Sequence, residues 1–512
     1  MGSIDIPDVS ITEFLLRRVD DHPDRPALVD GMTGRTLTYA ELRDAIYHAA
    51  GGLAEVGFVK GDVLAIMAPN IPEYTVAFHA VALLGGAATT INPTYTAHEV
   101  LHQLNDAGAK YMVTIGLFLE TAQEAAAGTH VDEIYTFDGA EGSIPFGTLL
   151  GEARVTEQVP VDLAEDIAVL PYSSGTTGLS KGVMLTHRNL VANLAQAEPM
   201  LEMLPEGEVL VAVLPFFHIY GMQVLMNGAV ANGATVVTMP RFDIELFLGI
   251  VEDYKVTRAY IVPPIVLGLA KHPMVDDYDL SSLKVIFSGA APLGADVAEE
   301  AAVRTNSEVV QGYGLTETSP ITHATMLGHA RPGSIGWAVP LTEVRIVDPE
   351  SGEDCSVGED GEIWVRGPQV MKGYLNNPEA TADCIDAEGF FHTGDIGHVD
   401  EHDHYYIVDR LKELIKYKGF QVPPAELEAL LLTHPSIADA AVIPVPDDEA
   451  GELPKAYVVL KPAIPATASE IMDFVAGHVA TYKQIRIVEF IAEIPKSASG
   501  KILRRVLRDQ SS

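Results

Sequence analysis

Between residues 63 and 137, short apolar runs alternate with longer amphipathic stretches. The runs at 63–68, 88–91 and 111–115 have the length of strands, and those at 74–84 and 98–107 repeat their apolar positions at helical spacing. Strands separated by helices in this way predict parallel neighbours joined by crossovers. The alternation resumes from 167 to 310, with strands expected at 167–170, 183–185, 209–214, 235–238, 259–262 and 285–287. A helix is expected to open at Thr186-His187-Arg188-Asn189. Two such blocks predict an α/β body of layered, doubly wound sheets.

After Gly333 the pattern shortens. Runs at 343–347 and 362–366, set between turn clusters such as Gly358-Glu359-Asp360-Gly361, predict a small β-barrel-like unit. Beyond Arg410 come a helix at 424–434, a hairpin at 440–460, a helix at 469–480 and a basic final helix. That mixture predicts a small α+β domain of common size, so the chain divides into 1–409 and 410–512.

Composition narrows the class. The chain has 512 residues, 47% of them hydrophobic, and no apolar run long enough to span a bilayer. Residues 1–18 lack the pattern of a secretory signal, and Arg508-Asp509-Gln510-Ser511-Ser512 carries no peroxisomal address. Two cysteines, Cys355 and Cys384, fit neither a disulfide framework nor a zinc site, and the cytoplasm is the expected compartment. The net charge of −38 opposes binding to nucleic acid or anionic membrane. It also means that a polyanion site must gather its cations locally. Two segments do so, Arg410 to Lys418 and Lys496 to Arg508.

The stretch Ser173-Ser174-Gly175-Thr176-Thr177-Gly178-Leu179-Ser180-Lys181-Gly182 lies between two expected strands. Glycines let backbone N–H groups converge on an anion, hydroxyls add donors, and lysine supplies a mobile charge. It differs from the usual P-loop, because Gly182 and not Ser or Thr follows Lys181. Gln311-Gly312-Tyr313-Gly314-Leu315-Thr316-Glu317 offers an aromatic ring for adenine, a hydroxyl for a phosphate and one carboxylate for Mg²⁺, which takes few protein ligands when phosphates are present. Small residues at Ser288-Gly289-Ala290-Ala291-Pro292 allow a flat ring to approach, or make a tight turn. A lone imidazole such as His218 is more often a bonded core residue than a catalyst. His402 and His404 sit in an acidic hairpin without further ligands and are not read as a metal site.

The phosphate loop closely resembles that of the acyl-adenylate-forming superfamily, which includes acyl-CoA ligases, luciferases and peptide-synthetase adenylation domains. Ser180 stands where most members carry proline. Leu214-Pro215-Phe216-Phe217-His218-Ile219-Tyr220-Gly221, Ser288 to Gly294 and Arg410 to Val422 look most like the 4-coumarate:CoA ligases, and the likeness runs in register to Arg508. The resemblance implies that Ser173, Ser174, Gly175, Thr176, Thr177, Gly178, Lys181, Ala291, Gln311, Gly312, Tyr313 and Thr316 hold ATP, that Glu317 holds Mg²⁺ and that Asp395 accepts from the ribose hydroxyls. Arg410, Lys418, Gly419 and Gln421 are expected at the nucleotide and its phosphate. His218 and Tyr220, with Gly289, Gly314, Pro320 and Ile321, are expected to form the acid pocket. Peptide-synthetase domains carry an Asp where this chain has Phe217-His218, which argues against an α-amino acid.

The expected reaction is two-step: a carboxylate is adenylated by ATP, then coenzyme A displaces AMP. Thr316 and Glu317 are expected to act in catalysis. Lys501, held as the ammonium by surrounding anions, is expected to serve the first step. Lys416 is expected to serve the second, after a mobile C-terminal domain turns about Lys412. The partners are a small carboxylic acid, ATP and CoA, and 4-coumarate or a related hydroxycinnamate is the expected acid. A medium-chain fatty acyl ligase, a luciferase-like oxygenase, a ligase delivering to a carrier protein and an inactive binding module stay open.

Overall fold

Helix Pro72–Leu83 is buried at every position except Glu73. A helix apolar all round has no face to give to water, so it must lie between two layers. It packs in a core shared by two sheets, together with helices Tyr39–Glu55 and His187–Leu201. The structure is a computed structural model that describes residues 4–511 apart from 174–179, 203–206, 419, 448, 463, 498 and 499.

The first sheet has eight strands. Its centre is Val63–Met67, flanked in parallel by Ala87–Thr90 and Tyr111–Thr114, and Ile167–Ser173 continues it into an antiparallel pair with Lys181–Thr186. The second sheet has thirteen strands. Its parallel part runs Pro26–Asp30, Thr235–Thr238, Val209–Ala212, Arg258–Ile261, Val285–Ser288, Glu308–Gly314. The β-rich segment after 333 extends this same sheet, because Ser334–Ala338 pairs with both Ile321–Ala324 and Tyr405–Arg410. It keeps a small core of its own around Ile346, Ile363 and Val365.

Strand Tyr405–Arg410 is the last to join the large sheet, and the next strand, Ile415–Tyr417, pairs with Gly451–Leu460. The expected hairpin is present as Ile437–Asp447 against Gly451–Leu460. Helices Pro424–Leu432 and Ala468–Ala476 pack on it through Leu427, Leu431, Ile471 and Val475. The second helix ends four residues earlier than its apolar pattern predicts, with Gly477 as the C-cap.

Three cations of the basic C-terminal segment are ion-paired within residues 410–512, whereas Lys501 lines a cavity described below. Arg504 is paired with Glu428 (2.7 Å), Arg508 with Glu413 (3.2 Å) and Lys496 with Asp439 (2.6 Å). These cations are spent inside the small unit, where each carboxylate lies within ion-pair distance.

Candidate active site

The parallel strands Arg258–Ile261, Val285–Ser288 and Glu308–Gly314 end along one edge, where sheet direction reverses at the pairing of Gly312–Gly314 with Ile321–Ala324. Ligands of open α/β sheets gather at carboxyl ends of strands beside such a reversal. A cavity lies there, and its lining includes His218, Tyr220, Tyr313, Thr316, Ile321 and Lys501. The same lining takes in Gly289, Gly312, Gly314 and Pro320. The expected acid-pocket residues are therefore brought together.

Two glycines make the walls. A Cβ at Gly289 would lie 2.9 Å from the Tyr220 ring, and one at Gly314 would lie 1.9 Å from the Pro320 carbonyl oxygen. Main chain thus stands where side chains have no room, leaving a slot suited to a flat group.

The His218 loop is held from outside. Asn70 donates to the carbonyls of Ala212 and Leu214 (2.7 and 2.8 Å) and accepts from Phe216 N–H (2.7 Å). His218 Nδ1 accepts from Tyr220 N–H (3.4 Å), which assigns the proton of the neutral ring to Nε2. Burial, assisted by the Lys501 charge, lowers the His218 pKa to about 3, so the ring is neutral at physiological pH. On the opposite wall, Asn193 accepts from Ile321 N–H (3.1 Å) and donates to its carbonyl (2.7 Å).

Tyr313 leads from the cavity to a second polar group. Its hydroxyl donates to Asp395 Oδ2 (2.6 Å), and Arg410 Nε lies 3.2 Å from Asp395 Oδ1. The Asp395 charge raises the Arg410 pKa further. Asp395 is buried, and a carboxylate has lone pairs left for two more donors. Farther along, Tyr374 donates to Glu317 Oε1 (2.9 Å), and Lys181 Nζ stands 4.5 Å from the centre of the Tyr374 ring. Among the described residues no group of three or more His, Cys, Asp or Glu could hold a metal ion. Glu317 alone, with its second oxygen, fits a cation shared with phosphate oxygens.

Lys501 arrives from the small unit. Gly500, at φ +79°, sets its Cα where a Cβ would lie 3.1 Å from Val262, so the loop abuts the large body. Burial and the Arg410 charge lower the Lys501 pKa, while Asp395 and Glu317 act the other way and favour its ammonium form. Asp409, at the end of the large sheet, accepts from Ala425 N–H (2.8 Å) in the first turn of helix Pro424–Leu432.

Other expected residues are placed differently. Lys416 and Gln421 are exposed on the strand pair Ile415–Tyr417 and Phe420–Val422, Lys418 is exposed just past the first strand and paired with Glu449 (2.7 Å), and none lines the cavity in this arrangement. Lys412 is exposed in the turn at 411–414. Ala291 is half-buried on the turn after Ser288, and Gln311 Oε1 accepts from Leu293 N–H (3.1 Å), which orders that turn. Ser173 ends its strand, whereas Ser174, Gly175, Thr176, Thr177, Gly178 and Gly419 lie outside the described residues. Sequence reasoning missed Asn70, Asn193, Tyr260 and His323. The last two line the cavity.

Residues 15–375 match the AMP-binding enzyme family, and residues 426–501 match the AMP-binding enzyme C-terminal domain. The chain belongs to the AMP-binding, adenylate-forming enzyme family. It is 44% identical over 520 residues to 4-coumarate–CoA ligase 3 of Oryza sativa subsp. japonica, covering 98% of this chain and 93% of that one. It is equally 44% identical over 522 residues to 4-coumarate–CoA ligase 1 of Petroselinum crispum, covering 98% and 95%. Among solved structures, the anthranilate CoA ligase AuaEII in complex with anthranoyl-AMP superposes with a TM-score of 0.91 at 26% identity, covering 100% and 98%. ATP-bound MatB from Rhodopseudomonas palustris gives 0.89 at 30% identity, covering 98% of each chain. No helix of the described residues is long and apolar enough to cross a membrane.

Proposed function

We propose that the protein is an ATP-dependent carboxylate–CoA ligase acting on 4-coumarate or a related hydroxycinnamate. The observation that carries this reading is Lys501 entering, from the small unit, the same glycine-walled cavity as His218 and Tyr313. A carboxylate oxygen attacks the α-phosphorus of ATP, the bond to the β-phosphate breaks, and pyrophosphate leaves. The CoA sulfur then attacks the acyl carbon, and AMP leaves with the electron pair of the acyl–oxygen bond.

The protein's part in the first step is positioning and charge stabilisation. Lys501 stands between two anions, the acid and the α-phosphate, that otherwise repel. Tyr313 and Ala291 hold the adenine, and Asp395 receives the ribose hydroxyls. Mg²⁺ would be held by Glu317 and would neutralise phosphate charge during transfer. The mostly apolar lining favours an aromatic tail, since a charge on the buried end of the acid would lack a partner.

The second step needs Lys501 withdrawn so that CoA can reach the adenylate. We assign 1–409 to a body and 410–512 to a domain that turns about Lys412, presenting Lys416 with Lys418, Gly419 and Gln421. Support comes from the turn at 411–414 and from the exposure of Lys416, Lys418 and Gln421 while Lys501 lines the cavity. The cytoplasm remains the expected compartment, in keeping with the unpaired Cys355 and Cys384.

The test is pyrophosphate release and CoA-thioester formation across hydroxycinnamates, benzoates and six- to twelve-carbon fatty acids. Hydroxycinnamates should give the highest kcat/KM. Preference for the fatty acids would overturn the acid assignment alone. Light emission with luciferin, or transfer only to a holo-carrier protein, would overturn the CoA step. No pyrophosphate with any acid would overturn the ligase reading.

A further inference from the structure

Met371-Lys372-Gly373-Tyr374-Leu375 runs as a strap across two elements that each carry a charge of the site. Gly373–Tyr374 pairs antiparallel with strand Lys181–Thr186, Gly373 opposite Met184 and Tyr374 opposite Val183. Leu375 N–H donates to the Gly182 carbonyl (2.8 Å), and Met371 N–H donates to the Glu317 carbonyl (2.8 Å). Thr381 Oγ1 accepts from Tyr374 N–H (2.9 Å). Only glycine leaves room for that contact, since a Cβ at Gly373 would lie 2.8 Å from Thr381 Cγ2. The strap is thus tied by main chain both to the strand that Lys181 begins and to the turn that carries Glu317.

The register decides what the Tyr374 side chain meets. Directly paired residues face the same way, and so do residues two apart on one strand, so Tyr374 is the diagonal neighbour of Lys181. An aromatic ring and a long side chain reach each other across such a diagonal. Lys181 Nζ accordingly stands 4.5 Å from the centre of the Tyr374 ring, whose electron-rich face attracts a cation. The hydroxyl of the same ring donates to Glu317 Oε1 (2.9 Å), and both residues are buried. A lysine and a carboxylate that touch one ring in a partly desolvated place attract each other, and a closed pair would satisfy each with the other. Here a neutral side chain takes the cation on its face and the carboxylate at its edge instead. A single bond at Oε1 orients the carboxylate and leaves Oε2 for another partner.

We propose that Tyr374 is a positioning residue that keeps Lys181 and Glu317 from neutralising each other before ATP binds. Its ring holds the lysine ready for a phosphate, and its hydroxyl aims the carboxylate at the cation. The proposal rests on the reading above that Lys181 meets phosphate and Glu317 holds Mg²⁺, and it adds the residue that couples the two.

The experiment measures binding rather than turnover, in wild type, Tyr374→Phe, Tyr374→Leu, Glu317→Gln and the double variant Tyr374→Leu/Glu317→Gln. Thermal melting identifies the folded variants, and Tyr374→Met replaces Tyr374→Leu if the leucine variant fails to fold. Mn²⁺ is titrated onto protein saturated with α,β-methylene-ATP, and the free ion is read by electron paramagnetic resonance. Tyr374→Phe should weaken Mn²⁺ binding about 10-fold, the usual loss when a ligand's hydrogen-bond partner is removed, with the Kd for AMP unchanged. An Mn²⁺ affinity equal to wild type overturns the role of the hydroxyl. Metal-free ATP and AMP are then titrated in the presence of a chelator. Tyr374→Leu, which lets Lys181 close on Glu317, should lose affinity for ATP but not for AMP, and Tyr374→Phe should keep both. The double variant should bind metal-free ATP as Glu317→Gln alone does, because the lysine no longer has a carboxylate to meet. Equal losses for ATP and AMP, or a double variant weaker than Glu317→Gln, would overturn the role of the ring. Wild-type protein that binds neither AMP nor the ATP analogue refutes the ligase reading instead, so the two failures are distinct.

Discussion

Lys501 illustrates how a single charge is tuned by its neighbours. Desolvation and Arg410 disfavour its ammonium form, and Asp395 and Glu317 only partly restore it, so its pKa lies below 10.5. A base with a lowered pKa loses its charge as pH rises through that value. Adenylation, which needs the ammonium, should therefore fall on the alkaline side with a midpoint below 10.5 in kcat/KM, the quantity that reports the free enzyme. Lys501→Arg should move that limb upward, and a limb that stays put in the variant would show that another group causes it. Gly289 gives a second prediction at this scale. A side chain there meets the Tyr220 ring at 2.9 Å, so Gly289→Val should narrow the slot. The kcat/KM for hydroxycinnamates should drop on the order of 10- to 200-fold, the usual effect of a small misfit in an apolar pocket, with the KM for ATP unchanged. Equal losses for both substrates would mean that the loop itself had moved.

At the scale of elements, the strands that carry the site were mostly legible, whereas the contacts that position them were not. The runs at 63–68 and 111–115 read directly as strands because a strand buried on both faces is apolar throughout. Strand Arg258–Ile261 was read one residue late, since an arginine looks like a boundary until Glu208, fifty positions earlier, is seen to neutralise it. Pro26–Asp30 was missed for a similar reason: its partner, Thr235–Thr238, is some two hundred residues away. Motifs marked Tyr313 and the Asp395 it bonds, but no local pattern marks Asn70 or Asn193, whose side chains bond distant backbone. The small unit gives a prediction of its own. Arg504 donates to both oxygens of Glu428 (2.8 and 2.7 Å), three residues past Lys501. Arg504→Met should leave a buried carboxylate unpaired and cost about 3 kcal/mol. Proteolysis should then become faster within residues 410–512, and adenylation should fall with it. A variant as protease-resistant as wild type would show the pair to be dispensable.

The division of labour between the two lysines also belongs to the elements. Lys501 lines the cavity while Lys416 is exposed on its strand, and the proposed function gives each a separate half-reaction. Lys501→Ala should abolish acid-dependent pyrophosphate release yet still convert supplied acyl-AMP and CoA into thioester. Lys416→Ala should do the reverse. Loss of the same half-reaction in both would remove the two-arrangement account.

For the whole molecule, two electrostatic effects compete on mild acidification. The net charge of −38 repels itself, and adding protons relieves that repulsion. Against this stand five histidines whose pKa values are lowered from 6.5 by burial: His79, His218 and His323 to about 3, His187 to about 4, and His404 in the same direction. Their contribution is complete above pH 6.5 and is lost as pH falls towards 4, because the unfolded chain takes up protons that the folded one refuses. Each is worth about 1.4 kcal/mol per pH unit well inside that window. Most carboxylates titrate near pH 4, so little repulsion is relieved between pH 7 and 5, and the histidines decide the sign there. The melting temperature should therefore fall steadily from pH 7 to 5. His79→Asn, at a site that accepts from or donates to Thr12 and Asn227 (3.1 and 3.0 Å), should lower the melting temperature at pH 7 but make the slope shallower. Added salt should raise the whole curve by screening the acidic surface without changing that slope. A melting temperature that rises on acidification would mean that charge relief outweighs the buried imidazoles.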